Sequence, residues 1–193
     1  MDRKVVAATN NKNKLREFKE ILAPLGYQVV SLGELGIEVD IEETGDTFQE
    51  NSLIKAKAIL ELSGMAALAD DSGLMVDALG GEPGVYSARY CQGSDSDRVQ
   101  FLLKKMENVP DGERTARFVS AITLCFPDGD VLTALGTCEG TITHEARGSN
   151  GFGYDPIFYV EQFKKTFAEL TADQKNMISH RGNALFELQK QLI

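Results

Sequence analysis

Apolar positions recur along this chain in runs, at spacings of three and four, and by alternation, and the changes between these patterns mark out its elements. Lys4–Thr9 is a short apolar run that predicts a strand, and Tyr27–Leu32 predicts a second. Between them Leu15, Phe18, Ile21, Leu22 and Leu25 recur at helical spacing, the stripe of an amphipathic helix over Lys14–Leu25 that Gly26 stops. Strand, helix and strand at this length point to an α/β domain. Beyond the acidic segment Glu38–Asp46, Thr47 and Glu50 form a T-x-x-E capping box, opening a helix that ends near Ser63 before Gly64. Met65–Ala69 then predicts a short buried strand with Asp70 and Asp71 at its C-terminal end.

The second half is richer in β pattern. Gly73, Gly80, Gly81, Pro83 and Gly84 mark a turn-rich excursion, and Ser94–Met106 predicts a helix through Val99, Leu102, Leu103 and Met106. Two long β-like runs, Thr115–Phe126 and Val131–Thr143, flank Pro127-Asp128-Gly129-Asp130, whose Asp-Gly pair is a strong hairpin signal. A glycine-rich loop at Gly148–Gly153, a short strand at Pro156–Val160 and a closing helix over His180–Leu192 complete the pattern. No repeat, linker or low-complexity tract interrupts it. The expected fold class is α/β with a mixed, partly antiparallel sheet, in one domain over residues 1–193.

Composition narrows the function classes. At 42% hydrophobic and 25% charged residues the chain is an ordinary globular one. No apolar stretch approaches the ~20 residues that span a bilayer. Met1-Asp2-Arg3-Lys4 is too short for a signal peptide before the first strand pattern, so a cytoplasmic location is expected. Cys91, Cys125 and Cys138 are odd in number and lack C-x-x-C spacing, which fits reduced thiols rather than zinc ligands. The net charge of −9, without a Lys/Arg run, argues against a duplex nucleic-acid binder. A polyanionic small molecule remains compatible if a few cations converge and a divalent metal screens its phosphates.

Five segments carry candidate chemistry. Thr9-Asn10-Asn11-Lys12-Asn13-Lys14 is a polar turn leading into a helix, whose free N–H groups and dipole favour anions; it is not a P-loop. Glu42-Glu43 and Asp70-Asp71 offer hard oxygen ligands, and Mg²⁺ takes one or two carboxylates while keeping waters and substrate phosphates. Paired acids beside an apolar strand repel each other and are costly to desolvate, so a metal or a proton transfer gives a reason for them. Asn51 and Lys55, four apart, share one helix face. Gly151-Phe152-Gly153-Tyr154-Asp155-Pro156 combines close backbone approach, an aromatic that can stack on a base, and an acid that can read a purine N–H edge. Lys175-Asn176 with Ser179-His180-Arg181-Gly182 clusters cations before a helix, where they can grip phosphates or base carbonyls. The isolated His144 reads as a surface residue.

In this order and over nearly the whole chain, these segments resemble the Ham1 family of inosine/xanthosine triphosphate pyrophosphatases. The matching stretches run from Ala8-Thr9-Asn10 through Lys14-Leu15-Arg16-Glu17, Glu42–Gly45 and Thr47–Asn51. They continue through Ala69–Leu74, Leu79-Gly80-Gly81, Pro83–Tyr90, Gly151–Phe158, Lys175 and Ile178–Gly182. The resemblance implies two lobes around a long central sheet, a homodimer, and Mg²⁺-dependent hydrolysis of ITP, dITP and XTP to the monophosphate and pyrophosphate. It implies that Thr9, Asn10, Asn11, Lys12, Asn13, Lys14 and Lys55 hold the triphosphate. By the same resemblance Glu43 and Asp71 would serve the metal, Asp71 would also be the general base, and Ser72 would contact substrate. Phe152, Gly153, Tyr154 and Asp155 face the base, with Lys175, His180 and Arg181 completing its pocket. In the first loop, Asn11-Lys12-Asn13 stands where many relatives have a glycine or small residue nearby; asparagine tolerates left-handed backbone well, so the loop is expected to be kept.

Pattern alone does not separate Glu42 from Glu43, and it leaves Asp70 without a role. Two rivals stay open: a Maf-like pyrophosphatase with another base preference, and a non-catalytic nucleotide-binding module, against which Asp71 speaks.

Overall fold

In the computed structural model, residues 3–192 are described; Met1, Asp2 and Ile193, the first two part of the N-terminal stretch read above, lie outside them. The strands are β1 (Arg3–Ala7), β2 (Tyr27–Ser31), β3 (Ala67–Val76), β4 (Thr115–Cys125), β5 (Val131–Ile142), β6 (Phe158–Val160) and β7 (Lys165–Thr166). The helices are α1 (Lys12–Leu22), α2 (Phe48–Ser63), α3 (Asp95–Lys105), α4 (Ala172–Ile178) and α5 (His180–Gln191). The strands form a mixed sheet in the order β2-β1-β3-β4-β5-β6-β7. β1 pairs in parallel with β2 and β3, whereas β6 is antiparallel to β5 and β7.

The expected helices and hairpin form, with α1 starting two residues early and ending in a 3-10 turn at Ala23–Leu25. The strand expected over Met65–Ala69 is corrected. β3 continues through Asp70, Asp71, Ser72 and Gly73 to Val76, so the acids sit inside the strand rather than at its end. The pattern also passed over β7 and α4, although Thr171 and Gln174 form a capping box at the start of α4.

The chain divides into two compact units. The first comprises Met1–Asp71, Ser120–Gly136 and His180–Ile193. Successive side chains on a strand point to opposite faces. Leu68 accordingly packs with Phe18 of α1 and Leu185 of α5, while Ala67 and Ala69 pack with Ala56 and Ile59 of α2. Gly136 of β5 runs so close beneath α5 that a Cβ there would lie 2.1 Å from the His180 carbonyl oxygen and 2.2 Å from the Ala184 nitrogen. That close approach fixes where α5 begins.

Ionic groups are also sealed into this unit. The Arg181 guanidinium, 1% exposed, bonds to Glu17 of α1 and to Asp70 Oδ2 at 3.1 Å. Ser120 Oγ donates to Asp70 Oδ1 at 2.5 Å. Burial alone would push the Asp70 carboxyl up, yet Arg181 and then Lys14 hold it well below the usual carboxylate range.

The second unit comprises Ser72–Val119 and Thr137–Ser179. Its core gathers Leu74, Leu102, Met106, Phe118, Phe158 and Phe167, with the Phe118 and Phe158 rings 4.6 Å apart. Arg114 serves as a backbone tie: its guanidinium donates to the carbonyls of Met106, Val109, Ile142 and Thr143.

Removing one member of a buried ion network leaves its partners uncompensated. Arg181→Leu is therefore expected to cost about 3–5 kcal/mol, seen in a thermal melt as a Tm lower by roughly 6–20 °C. A melt matching the parent protein would remove Arg181 from this structural role.

Candidate active site

The first unit brings together most of the expected phosphate and metal residues. β1 delivers the chain to Thr9, whose Oγ1 accepts from the Asn11 N–H at 3.1 Å. Asn11 caps α1: its Oδ1 accepts from the N–H groups of Asn13 and Lys14 at 2.9 and 3.2 Å. Asn11 is extended (φ −77°, ψ 109°), as an N-cap requires, and the turn draws on no left-handed asparagine. Asn10, Asn11 and Lys12 are exposed, and Lys14 is half-buried on the first turn. The Lys14 ammonium reaches inward to Asp70 Oδ2 at 2.8 Å.

Because Asp70 and Asp71 are consecutive on β3, they face opposite layers. Asp70 points to the α1/α5 side, where it meets Lys14 and Arg181. Asp71 points to the α2 side and meets Lys55, whose Nζ lies 3.2 Å from Asp71 Oδ1, 2.6 Å from Glu43 Oε1 and 2.9 Å from the Asp70 carbonyl oxygen. Of the two adjacent acids, Glu43 meets Asp71 through Lys55, and Glu42 is exposed.

Local bonds explain why the acidic loop delivers Glu43. The Gly45 N–H donates to Asn51 Oδ1 at 2.8 Å, and the Asp46 and Thr47 N–H groups donate to Glu50 Oε2 at 2.8 and 3.1 Å. A Cβ on Gly45 would lie 2.5 Å from Glu50 Cβ, so only glycine fits this clamp. Asn51 thus faces the loop from the first turns of α2, four residues before Lys55.

The electrostatics divide the two aspartates. Burial pushes the Asp71 carboxyl above the usual range; Lys55 opposes this and Glu43 adds to it. Asp71 Oδ2 is buried and has no hydrogen-bond partner, so one oxygen of this carboxylate is uncommitted. Lys55 stays charged: burial disfavours its ammonium, but Asp71 and Glu43 more than compensate. Among the described residues no cluster of three or more His, Cys, Asp or Glu side chains could hold a metal. Two carboxylates, one with an unbonded buried oxygen, suit an ion that takes its other ligands from phosphates and water.

The head of α5 adds His180, buried at 5% exposure, and Arg181, whose guanidinium lies inside on Glu17 and Asp70. Glu17 was passed over as a functional residue in the sequence. Its signal was there: it lies three residues after Lys14, beside the core residue Phe18.

In the second unit the loop Gly151–Asp155 is closed on itself. Asp155 Oδ2 accepts from the Phe152 N–H at 2.9 Å and from Lys175 Nζ at 2.8 Å. A Cβ on Gly151 would lie 2.0 Å from that oxygen. Asp155, 3% exposed, therefore staples the loop. Tyr154 is 4% exposed and donates its hydroxyl to the Ser87 carbonyl, so Phe152 is the more open of the two aromatics. The Lys175 ammonium lies 4.7 Å from the Phe152 ring centroid. The Gly153 N–H donates to Asp95 at 2.8 Å, and Ser72 is half-buried on β3. The His144 expected at the surface is exposed and pairs with Asp111.

These arrangements have close relatives. A family model described as the Ham1 family matches residues 5–191. A dITP/XTP pyrophosphatase of Desulforamulus reducens is 53% identical, with 94% of this chain and 92% of the relative covered. One of Bacillus subtilis is 48% identical, with 98% and 97% covered. Among solved structures, the Ham1 protein of Staphylococcus aureus matches with a TM-score of 0.86 at 44% identity, covering 98% and 97% of the two chains. A HAM1 protein of Coxiella burnetii gives 0.87 at 44% identity, covering 98% of each. A match running from β1 to the end of α5, together with relatives about half identical over nearly their whole length, makes this chain a member of the Ham1 family.

Proposed function

We propose that this chain hydrolyses deaminated purine nucleoside triphosphates, dITP and XTP with ITP, to the nucleoside monophosphate and pyrophosphate. The observation that carries the chemistry is the convergence of Lys55, Glu43 and Asp71 beside a buried, unbonded carboxylate oxygen. The substrate class is argued from the full-length relatives that bear the name dITP/XTP pyrophosphatase.

In the first unit, Thr9, Asn10, Asn11, Lys12, Asn13 and Lys14 present polar groups, a helix N-terminus and cations to phosphate oxygens, with Lys55 as a further contact. Glu43 and Asp71 would hold Mg²⁺, which supplies charge neutralisation on the polyphosphate. Asp71 Oδ2 takes a proton from water as the water oxygen bonds to phosphorus at the α–β anhydride, and pyrophosphate leaves with the electron pair. The raised Asp71 carboxyl makes a stronger base than an exposed aspartate. Asp70 and Arg181 act from behind, aiming Lys14, and His180 lies at the substrate end of α5.

In the second unit Phe152 offers a face for a purine. Lys175 beside it supplies a donor for a 6-keto oxygen, Gly153 and Tyr154 shape the loop, Asp155 orients Lys175, and Ser72 contacts substrate. A donor facing adenine's 6-amino group would be left unpaired, at roughly 1–3 kcal/mol per group. The enzyme is assigned to the cytoplasmic nucleotide pool as a homodimer on the strength of the resemblance. Among the described residues no helix is long and apolar enough to cross a membrane.

The test is pyrophosphate release across ITP, dITP, XTP, the common purine triphosphates, dTTP and UTP, with Mg²⁺. Preference for the deaminated purines is expected; preference for dTTP or UTP would overturn the substrate assignment, and no release from any would overturn the activity. Asp71→Asn should keep the fold and nucleotide binding while turnover falls by ~10²–10⁴-fold; activity like the parent's would remove Asp71 from the base role. Lys14→Ala should act mainly on KM through lost phosphate contact, and an unchanged KM would exclude Lys14 from the triphosphate.

A further inference from the structure

An ammonium has three N–H donors, and all three of Lys55 are engaged: by Glu43 Oε1, Asp71 Oδ1 and the Asp70 carbonyl oxygen. Two carboxylates and a carbonyl are also the oxygens that a hard divalent ion selects. Mg²⁺ bonds oxygen at about 2.0–2.1 Å, inside the 2.6 and 3.2 Å at which the ammonium contacts the carboxylates. The ion and the ammonium therefore draw on the same two carboxylates, and the positive charge of each weakens the hold of the other.

The carboxylates do not depend on Lys55 to stay in place. Asp71 is fixed within β3. The Glu43 loop is pinned separately by Asn51 and Glu50 through the N–H groups of Gly45, Asp46 and Thr47. Lys55, by contrast, carries its charge on a flexible four-carbon stem, which can swing while its Cα stays in α2.

We propose that Lys55 is a stand-in cation. In nucleotide-free protein its ammonium occupies the Glu43–Asp71 pair and keeps the divalent ion out. The phosphates of an incoming nucleotide draw the ammonium away, so that ion and nucleotide enter together. This rests on the reading of Glu43 and Asp71 as the metal ligands. It makes Lys55 a positioning residue that ties metal entry to substrate.

The experiment measures Mn²⁺ binding to nucleotide-free protein by the electron paramagnetic resonance signal of the free ion. The parent protein and Lys55→Arg, which keeps the charge, should bind weakly. Lys55→Met should bind at least tenfold more tightly, and the gain should vanish in Lys55→Met combined with Glu43→Gln. Lys55→Gln replaces Lys55→Met if a melt shows the latter unfolded. Equal or weaker binding by the folded neutral variants, or a gain that survives Glu43→Gln, would overturn the proposal. The metal reading fails separately if Glu43→Gln leaves the metal dependence of pyrophosphate release unchanged.

Discussion

The two-residue period of β3 is the constraint on which the rest of the first unit turns. A strand alternates its side chains between two faces, so neighbouring aspartates cannot share one environment. Asp70 is sent toward α1 and α5, Asp71 toward α2. The repulsion that two adjacent buried carboxylates would suffer is relieved because each meets its own cations. Moving the register by one residue would exchange the two acids and the apolar residues Leu68 and Ala69 together, so core packing and site chemistry enforce the same register.

From that division follow opposite electrostatic fates. Asp70 has Arg181, Lys14 and Ser120 around it, and its carboxyl stays ionised despite complete burial. It is a fixed negative charge, suited to holding a lysine and unsuited to moving protons. Asp71 has Lys55 on one oxygen and nothing on the other, and burial raises its carboxyl. A carboxylate with an uncommitted oxygen and raised basicity is the one suited to accept a proton. The same pairing puts the Arg181 guanidinium in the interior, against Glu17 and Asp70.

Much of this was legible in the chain. The 3.6-residue stripes located α1, α3 and α5, the Thr47–Glu50 capping box located α2, and the Asp-Gly turn located the β4–β5 hairpin, because those signals are local. The end of β3 was misjudged because acids and a glycine look like turn residues, whereas Ser87 and the ladder hold that backbone extended: the Leu74 N–H donates to Ser87 Oγ at 2.9 Å. Burial of polar side chains was equally hidden. Asp155 accepts from the Phe152 N–H of its own loop and from Lys175 of α4, and the Tyr154 hydroxyl donates to the Ser87 carbonyl, contacts that no local pattern announces. Glu43 could be separated from Glu42 only once the loop was pinned to α2.

The charge at this centre bears on a protein of net charge −9 that is to receive a polyanion. Lys14, Lys55 and Arg181 face Glu17, Glu43, Asp70 and Asp71, so this linked set carries one more negative than positive charge. With its cations already engaged by carboxylates, it offers little attraction to a triphosphate. A divalent ion on Glu43 and Asp71 reverses the balance to net positive, and phosphates that take up Lys55 remove the competing charge from the ion's ligands. If Glu43 and Asp71 are the ion's ligands, metal and nucleotide would each improve the site for the other. The net charge of −9 is then no obstacle to an anionic substrate, because a bound divalent ion would turn the local balance positive.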